Sequence, residues 1–188
     1  MAAGAYLNNQ LLIAMPSLAD PNFSQSVTLV CEHNERGALG LVINRPLEMK
    51  MSEVLEQLSL TSDDLRLCDM PVLRGGPVQN DRGFVLHRPC PQNWESTLPV
   101  SDTLHVTTSR DVLAAMARGE GPAQAVVALG YAGWDAGQLE VEMLQNAWLT
   151  VPCDDALIFD LPFEQRWQAA ARLLGVDLSR ISLQAGRA

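Results

Sequence analysis

Residues 125–140 read AVVALGYAGWDAGQLE, and this stretch decides what kind of domain the chain can form. Ala125–Tyr131 is almost wholly apolar, as expected of a strand covered on both faces. Gly130, Gly133 and Gly137 then free the backbone. Tyr131 and Trp134 add rings with hydrogen-bonding edges, and Gln138 and Glu140 follow on the next segment. Over Gly137–Asn146, Leu139 and Met143 favour a helix, although Leu139-Glu140-Val141-Glu142 also alternates like a strand. A strand buried on both sides needs layers to cover it, so the rest of the chain must supply them.

Upstream, Leu11–Met15 and Ser26–Glu32 read as strands, the second with Val27, Leu29 and Cys31 on one side and Thr28 and Val30 on the other. Leu39–Ile43 follows the turn-like Asn34-Glu35-Arg36, and Asn44-Arg45-Pro46 stops it. Ser52 is placed to cap a helix carrying Val54, Leu55 and Leu58. Pro71–Arg74, Gly83–His87 and Leu104–Thr107 read as strands, whereas the prolines of 88–103 predict a surface loop. Ser109 begins a helix with Val112, Leu113 and Met116, which Gly119 ends. Ala147–Val151 is a further strand, and Ala156–Asp160 is a strand or a helix entry. Pro162–Leu174 is a helix burying Phe163, Trp167, Ala170 and Leu174. With no repeat or linker, the 188 residues predict one mixed α+β domain, neither a clean β-α alternation nor an all-β sandwich.

Composition narrows the function classes. A net charge of −9 disfavours binding to phosphate backbones, and no apolar run is long enough to span a membrane. The four cysteines lie far apart without a C-x-x-C pair, which predicts reduced thiols, no metal and a cytoplasmic location. The start, MAAGAYLNNQLLIAMPSL, lacks a basic leader and does not read as a signal peptide. Charge is unevenly spread: between Arg118 and Arg166 there is no basic residue but eight acids, while Arg74–Arg110 holds four arginines, His87 and His105.

The chemistry-bearing candidates lie in three motifs. RGGPVQNDRGFVLH at 74–87 places Arg74, Gly75, Gly76, Arg82, Gly83 and His87 in a hairpin-like segment. Its glycines suit an anion-binding loop, and a tight structural turn accounts for them equally well. His33 and His87 each end an apolar run and should emerge where a strand meets a loop, a position suited to acid–base work. TTSRD at 107–111 starts a helix at which Ser109 would accept backbone hydrogen bonds and Asp111 would complement the dipole. Capping alone explains both. Asn44 and Arg45 lie just after a strand, and Tyr131, Trp134 and Gln138 complete the set. If Arg45, Arg82 and Ser109 meet, they would hold a carboxylate or phosphate.

Several segments, in order, resemble the bacterial AlgH/YqgE family: LLIAMPSLADPNFSQSV, EHNERGALGLVINRP, RGGPVQNDRGFVLH, TTSRDVLAAMARGEGP, LGYAGWDAGQLE, NAWLTV and LIFD…RWQAAARLLGVD. The match runs from about Gln10 to Asp177. The resemblance implies a compact fold with a central, partly barrel-like mixed sheet and flanking helices in a cytosolic bacterial protein. The family name ties its members to regulation of alginate production, a genetic association that assigns no catalytic residue.

Three readings of function stay open. A regulatory module binding a small anionic ligand, without a cofactor and acting indirectly on gene expression, accounts for the glycines, arginines and rings at loop positions. An enzyme acting on a small anionic substrate would have to use His87, Ser109 and Asp111. A protein-interaction factor needs no ligand. Direct DNA binding is not expected, because neither candidate helix carries a basic recognition face.

Overall fold

The computed structural model describes residues 6–15 and 25–175. Among these residues, ten strands form one strongly curled, largely antiparallel half-barrel sheet with six helices against it. The strands are β1 (Gln10–Ala14), β2 (Val27–Asn34), β3 (Gly37–Val42), β4 (Pro46–Lys50), β5 (Pro71–Arg74), β6 (Val78–His87), β7 (Thr97–Ser101), β8 (Leu104–Thr107), β9 (Ala125–Asp135) and β10 (Trp148–Pro152). The helices are α1 (Met51–Gln57), α2 (Leu65–Cys68), α3 (Arg110–Ala117), α4 (Gln138–Leu144), α5 (Asp155–Phe159) and α6 (Arg166–Leu173). The main path runs β10-β1-β2-β3-β9-β6-β8-β7, with β5 pairing β4 and, in parallel, β9.

β9 organises the sheet. Its first half pairs with β6 and β5, and its second half with β3, so both flanks of the long strand are used. Its side chains alternate between layers: Val127 joins the cluster beneath α1, α2 and α3, and Ala128 joins the interior of the curl. That interior holds Leu11, Leu29, Leu41, Phe84 and Leu86 and is closed by Leu157, Ile158, Ala170 and Ala171 of α5 and α6. A third cluster sets Leu139 of α4 against Trp134 and Trp148. The expected strand covered on both faces is therefore the centre of the molecule.

Proline misleads at two strands. The 88–103 segment contains β7, an edge strand on which Pro99 breaks no inner ladder. Pro46, which stops β3, also opens β4. Three helical expectations shift as well. Lys50 and not Ser52 occupies the cap of α1, and the Glu53 carboxylate accepts its backbone N–H at 2.9 Å. The two ambiguous segments are α4 and α5. The last helix begins as a 3-10 turn over Phe163–Gln165, and it buries Arg166 while leaving Leu174 partly exposed. The Arg166 guanidinium donates to the carbonyls of Ile43, Ile158 and Leu161, and burial lowers its pKa to about 10.

Candidate functional site

The glycines of 74–87 are used by the fold. Gly75 donates its N–H to the Leu129 carbonyl and accepts from Val42 N–H, both at 2.8 Å. A Cβ on Gly76 would lie 2.1 Å from the Tyr131 carbonyl carbon. Here two backbones cross in contact, and the expected cradle of free amides is not formed at Gly75. Arg45 and Arg74 adjoin through a backbone bond of 2.8 Å, and Asn44 ties the end of β3 to β2 by accepting from Val27 N–H and donating to the Gln25 carbonyl.

His87 does not emerge at a loop. It is 1 % exposed, its Nδ1 faces the Arg88 carbonyl at 2.8 Å, and its Nε2 faces the Thr107 hydroxyl at 2.7 Å. A carbonyl only accepts, so Nδ1 carries the proton and Nε2 accepts from Thr107, which accepts in turn from Thr97 at 2.9 Å. Burial lowers the His87 pKa. His33 is buried too, held between Leu7 N–H at 3.0 Å and Glu140 at 2.8 Å.

At the start of α3, Ser109 sits at the cap position, but its hydroxyl does not cap the helix. It accepts Ser96 N–H at 3.0 Å and donates to Asp111 at 2.5 Å. Asp111 also accepts Glu95 N–H at 2.7 Å. Burial pushes the Asp111 carboxyl up, but the bonds from Ser109, Glu95 and the first-turn N–H groups outweigh it and leave the pKa low. The helix therefore carries its own anion. His87, Ser109 and Asp111 form no nucleophile–base relay, because His87 faces Thr107 and Ser109 faces the carboxylate.

Two of the sequence motifs nevertheless meet. A cleft of about 140 Å3 opens where Gly83 of β6 and Ser109 approach the end of α1. Its walls are Val54, Leu58, Val85, Leu113 and Leu129, and its polar rim is Gln57, Asp81, Thr108, Ser109 and Arg110. Arg110 spans the top by donating to the Leu58 carbonyl at 2.6 Å. Arg82 lies over the Phe84 ring, 5.4 Å from its centroid, and Phe84 belongs to the interior of the curl. Gly83 and Val85 turn the other way, so Arg82 and Ser109 do not face one cavity. Tyr131 packs edge-on against Phe84. Trp134 and Gln138 lie at α4, where both donate to Glu142.

A profile of the AlgH-like family, DUF179, matches residues 11–179. The chain belongs to the AlgH-like family. It is 58 % identical to a UPF0301 protein of Thioalkalivibrio sulfidiphilus and 50 % identical to one of Nitrosococcus oceani, in each case over the full length of both chains. The solution structure of the AlgH protein from Pseudomonas aeruginosa is 52 % identical, covers 97 % of this chain and 96 % of its own, and superposes with a TM-score of 0.81. A crystal structure from Corynebacterium diphtheriae, 17 % identical with a TM-score of 0.72 over 92 % of this chain and 89 % of its own, shares the fold. Among the described residues of this AlgH-like chain, no helix is long and apolar enough to cross a membrane, and no acidic, histidine or cysteine cluster could hold a metal. Sequence reading passed over Gln57, Leu58 and Arg110. Only Arg110 gave a signal, as a charge inside TTSRD; the end of α1 gave none.

Proposed function

We propose that this AlgH-like chain is a cytoplasmic regulatory binding module that reaches gene expression indirectly, through what docks in the α1–α3 cleft. The observation that carries the reading is the cleft itself, which joins Gly83 and Ser109 over apolar walls beneath Arg110. At about 140 Å3 it is smaller than the roughly 300–1,000 Å3 of pockets that engulf a whole drug-sized ligand. It suits a compact ligand, or one side chain of a partner, with an apolar body and a single negative end. Arg110 would take that end by a charge-assisted bond, and Asp81 on the facing strand disfavours a second negative group. The net charge of −9 supports action through a partner or metabolite over action on DNA.

A panel of small carboxylates with apolar bodies, titrated into isotope-labelled protein, tests this. The expected result is saturable shifts at Gly83, Thr108, Arg110 and Leu129 with the compound recovered unchanged. Chemical turnover would select the enzyme reading instead, and saturable shifts confined to other surfaces would overturn the proposed site.

A further inference from the structure

The α4 helix is fixed from within and, among the described residues, unpartnered from without. Leu139 is fully buried on its inner side. Glu140 bonds His33 at 2.8 Å, and one oxygen of Glu142 accepts both the Trp134 and Trp148 indoles at 3.0 and 2.9 Å. Gln138 donates to Glu142 and accepts from Asp135 N–H. Such a short helix would not persist alone in water, so these side-chain bonds and the packing of Leu139 set its position. On the outward face, at i and i+3, Val141 is 51 % exposed and Leu144 is 84 % exposed.

Charge indicates what would cover that face. Asp135 precedes α4 on the surface, and the Glu140 carboxylate, held low chiefly by its bond to His33, flanks Leu144. Arg36 lies beyond, at the turn next to the paired Gly37 and Asp135. A second copy would bring a chain of net charge −9 against another of the same charge. A basic partner would be drawn in.

We infer that the outer face of α4, centred on Val141 and Leu144, docks a partner protein's segment that presents arginine or lysine among apolar residues. This inference is independent of the α1–α3 cleft, since the two surfaces share no residue. The pre-set helix loses little freedom on binding, and the two aliphatic side chains act as anchors with Glu140 beside Leu144.

The test uses the full chain, a synthetic amphipathic helical peptide of leucine and arginine, and an acidic twin with glutamate for every arginine. The arginine peptide is expected to bind with amide shifts centred on residues 140–145, to weaken with added salt, and to lose affinity about tenfold in a Val141→Ser/Leu144→Ser variant. Both side chains are exposed, so the variant should keep the parent spectrum elsewhere. Equal binding of the acidic twin, shifts centred on another surface, or undiminished binding by the variant would overturn the inference. So would sedimentation showing the parent dimeric and the variant monomeric, because the face would then be occupied by a second copy.

Discussion

The Gly130 carbonyl oxygen occupies the place where a side chain on Gly75 would have to go: an ideal Cβ there would lie 2.3 Å from it. The reverse contact is as close, since a Cβ on Gly130 would lie 2.5 Å from the Gly76 carbonyl oxygen, and Gly130 has a φ of +79°. Two glycine motifs that look like ligand loops in the sequence are thus the two sides of one backbone crossing. Gly75→Ala or Gly76→Ala should destabilise the chain by about 1–3 kcal/mol or more, because backbone faces backbone and neither can yield cheaply. Urea denaturation measures this. An unchanged midpoint would mean the crossing is looser than described.

Glu142 should matter well beyond an ordinary surface acid. Its carboxylate is shared by the indoles of Trp134 and Trp148, which are 6 % and 4 % exposed. Glu142→Ala should cost about 1–3 kcal/mol for each buried donor deprived of that acceptor and should shift the tryptophan emission. Glu142→Gln retains one acceptor oxygen and should fall between. Parent-like emission in the alanine variant would contradict the shared contact.

Stability should fall as pH drops below about 6.5, the ordinary histidine value, because of His87. Burial lowers its folded pKa below the unfolded one, so between the two values the unfolded chain binds more protons. The contribution is complete above the unfolded pKa and is lost on acidification. Asp111 and Glu140, whose pKa values are also lowered, act in the same direction but in the carboxylate range at lower pH. Thermal melts from pH 8 to 5 should show a loss that His87→Gln flattens. An equal slope in the variant would assign it elsewhere.

The purified protein should show no tight, sequence-selective binding to DNA at physiological salt. Its net charge is −9, and α3 presents Arg110 to the Leu58 carbonyl instead of to a groove. Nanomolar selective binding in a competition assay would overturn the proposed indirect route to gene expression.

Much of the architecture was legible because hydrophobic period reports burial directly. Val127 and Ala128 fall in opposite layers as the apolar run 125–131 requires, and Pro71–Arg74 and Leu104–Thr107 are strands at the expected bounds. The two proline-bearing edge strands β4 and β7 were not legible, since Pro46 and Pro99 forbid only inner ladder bonds. The site was legible only in part. Gly83 and Ser109 do share a cleft, yet the sequence could not tell that Arg82 leans on Phe84 or that Gly75 faces a backbone. Those outcomes depend on which face a side chain takes across a register shift between Val78 and Gly83. His87 shows the same limit, because a strand end can be covered by a neighbouring loop as readily as open to water.

The most direct measurement fills the cleft and asks whether the proposed regulatory role depends on it. Thr108 lines the rim and is only partly buried, so Thr108→Trp should occupy the roughly 140 Å3 space while leaving the parent fold and melting temperature close to unchanged. Placed in a bacterial strain as the sole copy, the variant is predicted to reproduce the transcript profile of a deletion. A parent-like profile from a folded Thr108→Trp protein would show that the cleft does not carry the function.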